Sequence, residues 1–87
     1  MKPKTKYSVF LLEIGEGCYS RFRYSFIHNT FAVSEKQAIN NISFRTGIPK
    51  VKYIGDYLEE GHVIETLRAC PADESQKTIE EWKNKYD

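Results

Sequence analysis

The feature that most constrains this chain is a continuous apolar run near its beginning. Residues 7–14 read Tyr-Ser-Val-Phe-Leu-Leu-Glu-Ile, and Gly15 and Gly17 follow at once. A run of eight residues that ends at glycines is typical of a strand and short for a helix. Because successive side chains of a strand point to opposite faces, apolar residues at both odd and even positions need cover on both faces. We therefore predict that residues 7–14 form a central strand that is covered on each side.

The next segment, residues 19–33, is rich in aromatic residues and alternates cleanly at first. The aromatic positions of one strand face alternate with polar positions of the other: Phe22, Tyr24 and Phe26 against Arg21, Arg23 and Ser25. After His28 the alternation changes phase, because Phe31 and Val33 are odd-numbered. Either a β-bulge in one bent strand or a tight turn between two strands would account for this change. We favour the bent strand, since no glycine is available for a two-residue hairpin turn.

A capping box marks the start of a helix at Ser34. The Ser34 hydroxyl can accept a hydrogen bond from the Gln37 amide, while the Gln37 side chain reaches back. An apolar stripe at helical spacing follows it, formed by Ala38, Ile39 and Ile42, and Phe44 could extend it. Gly47 is typical of a helix end, and Pro49 prevents continuation. These signals predict a helix over residues 34–46.

The second half of the chain carries two more strands and a final helix. Residues 50–58 and 62–70 have strand composition, and the Glu-Glu-Gly segment at residues 59–61 suits a hairpin loop. Pro71 ends the second of these strands, and residues 73–86 are amphipathic at helical spacing.

The predicted fold class is therefore α+β, with the element order β-β-α-β-β-α. It consists of a small antiparallel sheet with one helix packed on a face, followed by a C-terminal helix. We expect a flexible basic arm over residues 1–6 and a single domain over residues 7–87. The predicted core has nine members: Val9, Leu11, Phe22, Tyr24, Phe26, Ala38, Ile39, Ile42 and Leu67.

Composition narrows the class of protein. With 40% hydrophobic and 14% aromatic residues, the chain is expected to fold rather than stay disordered. No run approaches the roughly 18 apolar residues of a membrane span, and no secretory signal core follows the basic start. The two cysteines, Cys18 and Cys70, are too few for a disulfide scaffold. We expect a cytoplasmic protein without a membrane association.

Motifs for catalysis or cofactor binding are missing from the sequence. The cysteines and histidines lack the spacing of a structural zinc site. The paired carboxylates Glu59–Glu60 and Glu80–Glu81 are adjacent in the chain, so they point apart rather than toward one substrate. No glycine-rich phosphate loop is present. We expect no metal, no cofactor and no enzymatic activity.

Charge is distributed unevenly between the two halves of the chain. Residues 1–52 hold nine basic and three acidic residues, a balance of +6, whereas residues 53–87 hold four basic and nine acidic residues, a balance of −5. Such asymmetry indicates either a side that faces a polyanion or a partner that is steered electrostatically. The alternative is that the two halves interleave in the fold, so that their fields largely cancel.

The function that we predict is a small non-enzymatic binding protein, which docks on a partner protein or nucleoprotein complex and modulates or inhibits it. Twelve of the 87 residues are aromatic (Trp 1, Tyr 6, Phe 5), and tyrosine is enriched at protein interfaces. The predicted partner-binding residues lie in the acidic half: Tyr53, Asp56, Tyr57, Glu59 and Glu60. The same kind of surface would also serve a homodimer.

The alternative function is nucleic-acid binding. Basic side chains neutralise phosphates and aromatic rings stack on bases. The residues of this type come from the predicted arm and from the second strand: Lys4, Lys6, Tyr19, Arg21 and Arg23.

The junction between the second strand and the first helix carries a resemblance. Residues 31–39 read Phe-Ala-Val-Ser-Glu-Lys-Gln-Ala-Ile, in which a strand ends in a small residue and a capped helix begins with Ser-x-x-x-Ala-Ile. This resembles small α/β proteins that phages and mobile elements encode. The resemblance covers residues 7–47 and implies an accessory protein, such as an inhibitor of a bacterial defence system. It assigns no role to individual residues.

Overall fold

The computed structural model describes residues 3–17, 21–57 and 61–86, and for residues 16, 17, 21, 53–57 and 61–63 it describes the backbone alone. The elements in chain order are β1 (Thr5–Gly17), β2 (Arg21–Ala32), α1 (Glu35–Thr46), β3 (Val51–Tyr57), β4 (Gly61–Pro71) and α2 (Ser75–Tyr86). A short 3₁₀ turn at Ala72–Glu74 joins the last two. The predicted α+β class and the β-β-α-β-β-α order are confirmed. Thr5 and Lys6, which we placed in the basic arm, lie in β1.

Strand β1 lies inside the sheet, as its two-sided apolar pattern predicts. The strand order is β2-β1-β4-β3, and β1 pairs antiparallel with both neighbours. On one face, Val9 is fully buried against Ala38 and Ile42 of α1. On the other face, the neighbouring Phe10 contributes to a second cluster that includes Trp82 of α2. The two helices therefore cover opposite faces of the sheet. Helix α1 lies over the odd-numbered residues of β1, and helix α2 lies over the even-numbered residues.

The phase change in β2 is a β-bulge, which confirms the single bent strand. Val9 is paired with His28, but the next residue, Phe10, is paired with Phe26, so Ile27 is the additional residue. Further along, Lys6 is paired with Phe31. Because Lys6 and Phe10 are both even-numbered in β1, the bulge keeps Phe31 on the same face as Phe26.

The ends of α1 follow the local sequence signals. The Gln37 amide donates to Ser34 Oγ at 3.2 Å, and Gln37 Oε1 accepts from the Val33 amide at 2.7 Å. Gly47 ends the helix with φ of 76°, a left-handed conformation that glycine adopts without strain, and its amide donates to the Ser43 carbonyl at 2.9 Å. The predicted capping box and helix stop are confirmed. Phe44 does not extend the apolar stripe: it is 93% exposed, because a position two residues after the buried Ile42 lies on the opposite side of the helix.

The predicted core is correct in its centre and wrong at one edge. The fully or almost fully buried members are Val9, Ala38, Ile42 and Leu67, and the half-buried ones are Leu11, Phe22 and Ile39. Tyr24 and Phe26 are 51% and 55% exposed. The reason is topological: β2 is an edge strand, and α2 packs over Phe10 and Phe22 without extending across these two rings.

Candidate binding surface on strand β2

Strand β2 presents a row of aromatic side chains on the same side of the sheet as α2. We call this row the aromatic face of β2, and its members are Phe22, Tyr24, Phe26 and Phe31. Phe22 is half-buried, whereas Tyr24, Phe26 and Phe31 are each more than half exposed. The row follows from the alternation of the strand and from the bulge, which together bring all four rings to one face.

Two of the exposed rings of this face, Tyr24 and Phe26, contact a buried ring. Phe10, which is 5% exposed, meets the Phe26 ring at a centroid distance of 5.6 Å and the Tyr24 ring at 6.2 Å, both edge-to-face. The Trp82 ring of α2 meets Phe10 from the other side at 6.0 Å. Edge-to-face pairs at these distances are favourable beyond the area that they bury. Tyr24 and Phe26 are therefore exposed but oriented by the core.

A groove runs between the aromatic face of β2 and helix α2. Phe22, Tyr24 and the half-buried Ile79 form its apolar lining, and the exposed side chains of Gln76, Glu80 and Lys83 form its polar rim. The Phe22 ring connects the two sides, since it lies 5.9 Å from the Tyr24 ring and 6.2 Å from the Tyr86 ring of α2. The groove therefore combines an apolar lining with a polar rim, a combination that is also found at protein interfaces.

The opposite side of β2 is charged instead of aromatic. Four charged residues follow one another in register across the four strands: Arg23, Glu13, Glu65 and Lys52. We call this set the charged row. The two outer members, Arg23 and Lys52, are cations, and the two inner members are carboxylates. The β2 edge of this row is therefore positively charged, through Arg23. Together with Leu11, the Arg23 end of the row lines a shallow depression that α1 leaves open.

The residues predicted for partner binding fall mostly outside what the structure describes. Glu59 and Glu60 lie outside the described residues, and of Tyr53, Asp56 and Tyr57 only the backbone is described. That backbone belongs to β3, at the opposite edge of the sheet from β2. The aromatic face of β2 is thus a different surface, and the core predicted from the sequence includes three of its four members: Phe22, Tyr24 and Phe26.

The structure separates the residues predicted for nucleic-acid binding. Tyr19 and the Arg21 side chain lie outside the described residues. Lys6 is paired with Phe31 and Arg23 with Glu13, which places the two cations on opposite faces of the sheet. They are also seven positions apart along β1, or about 23 Å. Antiparallel pairing causes this separation. The start of β1, with Lys4 before it, lies beside the end of β2, whereas Arg23 lies near the start of β2.

The described residues offer little for catalysis or metal binding. Within residues 3–17, 21–57 and 61–86, no group of three histidine, cysteine or acidic side chains could hold a metal ion. Cys70 is buried, and its burial raises the pKa of the thiol, which opposes formation of the nucleophilic thiolate. Neither of the two described helices has the length and apolar character needed to cross a membrane.

The sequence contained one signal for the exposed surface. An arginine-aromatic alternation over residues 21–26 is what an edge strand with one polar face shows, but the same aromatics also fit a buried face.

Comparison with known proteins gives no match: no family model, no curated protein and no solved structure matches this chain.

Proposed function

We propose that this chain is a non-catalytic binding protein that docks on a partner protein through the aromatic face of β2. One observation carries the proposal: Tyr24, Phe26 and Phe31 are all more than half exposed on one face of an edge strand. Isolated exposed apolar residues are ordinary, but several exposed aromatic rings on one strand face, beside a polar rim, are typical of an interaction site. Rings that the core already orients lose little conformational freedom on binding, which favours affinity.

The sequence resemblance extends this proposal to the role of the protein. An accessory protein of the phage type would use such a face to cover a functional surface of its partner, and would thereby modulate or inhibit it. The absence of a metal-binding cluster among the described residues and the neutral, buried Cys70 thiol are compatible with a protein that acts by binding alone.

Charge around the aromatic face supports a protein partner over a nucleic acid. Bases could stack on the exposed rings, but the backbone of a nucleic acid also needs a row of cations beside them. Lys6 lies next to Phe31, Arg23 is on the other face, and the rim of the groove mixes Glu80 with Lys83. This mixed rim would not neutralise a run of phosphates.

The experiment is a capture assay from a bacterial lysate, with and without nuclease treatment. The test variant is Tyr24→Ser/Phe26→Ser, and the matched control is Phe44→Ser, which removes a ring that is 93% exposed on α1. We expect the wild type and the control to retain one protein despite nuclease, and the test variant to lose it. Equal capture by all three proteins, or capture of nucleic acid alone, would overturn the proposal.

Both variants must be folded for this comparison to count. The two substituted rings are half exposed, so the test variant loses the edge-to-face contacts with Phe10 but opens no buried cavity. We expect a cost of roughly 0.5–1.5 kcal/mol for each ring pair. Far-ultraviolet circular dichroism and a urea titration on each protein establish that the fold persists.

A further inference from the structure

We infer that the partner binds by strand addition: an extended segment of the partner pairs with the outer edge of β2 and makes the sheet five-stranded. The segment that fits has apolar side chains on one face and a carboxylate opposite Arg23 on the other. This inference rests on the proposed function and specifies how the partner is held. In strand addition, main-chain hydrogen bonds supply affinity and alternate side chains supply specificity.

The first support is the open edge of β2. One edge of this strand pairs with β1 along its whole length. Among the described residues, no strand pairs with the other edge. Within the described part of the chain, the side chains that reach the β2 main chain do so toward the end of the strand, where Asn41 Nδ2 lies 3.5 Å from the Phe31 carbonyl and His28 Nδ1 lies 2.8 Å from the Asn29 carbonyl. Residues 22–27 therefore form an uncovered pairing edge of roughly 20 Å.

The second support is that the molecule covers the comparable free edge of β4. Strand β4 continues past Thr66, the partner of the first residue of β3, so its main-chain groups from Leu67 onward would have no strand to pair with on that side. There the Glu35 carboxylate accepts a hydrogen bond from the Ala69 amide at 3.3 Å, and the Lys50 carbonyl accepts one from the Leu67 amide at 2.9 Å. Native sheets usually blunt exposed edges in such ways. The β2 edge over residues 22–27 also contains no proline or glycine that would discourage pairing, and the bulge at Ile27 lies at the end of this stretch.

The third support is the chemistry of the two faces of β2, which defines the occupant. Side chains of an added strand that lie on the α2 side would contact Tyr24 and Phe26, and apolar groups pair well with these rings. Side chains on the other side would lie beside Arg23, the outer cation of the charged row, where a carboxylate completes the pairing. The complementary segment therefore alternates apolar and acidic residues.

Charge favours a partner strand over a second copy of this chain as the occupant. If two β2 strands paired antiparallel with Tyr24 at the centre, Arg23 would face Ser25 of the other copy. If the centre moved to Arg23, two like charges would lie directly opposite, which is destabilising. Neither arrangement provides Arg23 with a carboxylate, whereas a partner strand with alternating acidic residues does.

The probe is a synthetic capped peptide, Glu-Val-Glu-Tyr-Glu-Val-Glu, added to the full-length protein. Strand pairing predicts that amide hydrogen exchange slows at residues 22–27, as nuclear magnetic resonance measures it residue by residue. The same peptide with every peptide nitrogen methylated lacks the main-chain donors and should give no protection. A peptide with lysine in place of glutamate should bind roughly fivefold more weakly, because like charges would lie opposite each other at Arg23.

Charge reversal in the protein provides the second readout. Arg23→Glu should reverse the preference, so that the lysine peptide binds more tightly than the glutamate peptide. The matched control is Arg45→Glu, which changes an exposed cation in the last turn of α1 and should leave the preference unchanged.

The outcomes separate this inference from the proposed function. If the peptide does not bind, or binds without slowing exchange at residues 22–27, strand addition is wrong, while loss of capture by Tyr24→Ser/Phe26→Ser would still support docking. If the protein alone sediments as a dimer and its residues 22–27 become protected with rising concentration, a second copy occupies the edge and the inference is overturned. Protection together with reversed preference in Arg23→Glu supports it.

Discussion

Glu35 and Arg68 form an ion pair around the edge of the sheet, with 2.6 Å between Glu35 Oε2 and Arg68 Nε. Glu35 begins α1 on one face, while the Arg68 guanidinium lies 5.4 Å from the centre of the Trp82 ring of α2 on the other. One arginine therefore connects both helices at the end of β4 that β3 does not reach. The hydrogen bond to Glu35 is the main reason why the pKa of Arg68 is raised above its usual range, so this guanidinium stays charged at every working pH.

Substitution of Glu35 should separate the charge of this pair from its hydrogen bond to the main chain. Glu35→Gln retains an acceptor for the Ala69 amide and loses the charge, whereas Glu35→Ala loses both. The pair is about one third exposed, so we expect Glu35→Gln to cost about 0.2–1 kcal/mol. Glu35→Ala should cost roughly 1 kcal/mol more, because the Ala69 amide loses its partner. Urea denaturation measures both; equal costs would show that the Glu35–Ala69 hydrogen bond contributes nothing.

Truncation within α1 should distinguish its buried face from its exposed face. Ile42 is fully buried between the helix and the sheet, and Phe44, two residues later, is 93% exposed. Ile42→Ala should lower the free energy of unfolding by about 2–5 kcal/mol, since it removes buried methylenes and leaves a cavity. Phe44→Ala should stay within about 0.5 kcal/mol of the wild type. Unchanged denaturant midpoints for both variants would contradict the packing of α1 on the sheet.

The single tryptophan should report the docking of α2. Trp82 is 5% exposed and contacts the Phe10 ring, whereas a 12-residue helix is marginal by itself. We expect the fluorescence of Trp82 in the native protein to have its emission maximum at a shorter wavelength than free indole in water, and to resist quenching by acrylamide. Trp82→Ala should cost about 3–5 kcal/mol. Emission like that of an exposed indole under native conditions would show that α2 does not dock on the sheet.

Burial of Cys70 should make stability depend on pH in the alkaline range. Its pKa in the folded protein is raised by burial, so the unfolded chain loses the thiol proton at a lower pH. The stabilising contribution is therefore complete below the ordinary thiol pKa of about 8.5 and is lost as pH rises from there through the folded value. Unfolding should be measured from about pH 7 to about pH 10 for Cys18→Ser and for Cys18→Ser/Cys70→Ala. If the free energy of unfolding of the two proteins changed with pH in the same way, this dependence on Cys70 would be contradicted.

Much of the local structure could be predicted from short stretches of sequence. The two-sided apolar pattern of residues 7–14 predicted a central strand, and the phase change after His28 predicted the bulge. Ser34, Gln37 and Gly47 predicted both ends of α1. Each signal acts over a few residues, because strand alternation, capping hydrogen bonds and left-handed glycine are properties of the nearby chain.

The sequence by itself therefore determined the kinds, order and approximate limits of the elements, and which residues share a face of each strand. Only the tertiary structure decided that β2 lies at an edge, that Tyr24 and Phe26 remain exposed, and that Lys6 and Arg23 lie on opposite faces. These results depend on pairing between segments far apart in the chain and on how far α2 extends over the sheet. An aromatic residue has the same local preference for a strand whether a helix covers it or not. Long-range packing therefore decided which of the aromatic rings are buried, and so where the candidate binding surface lies.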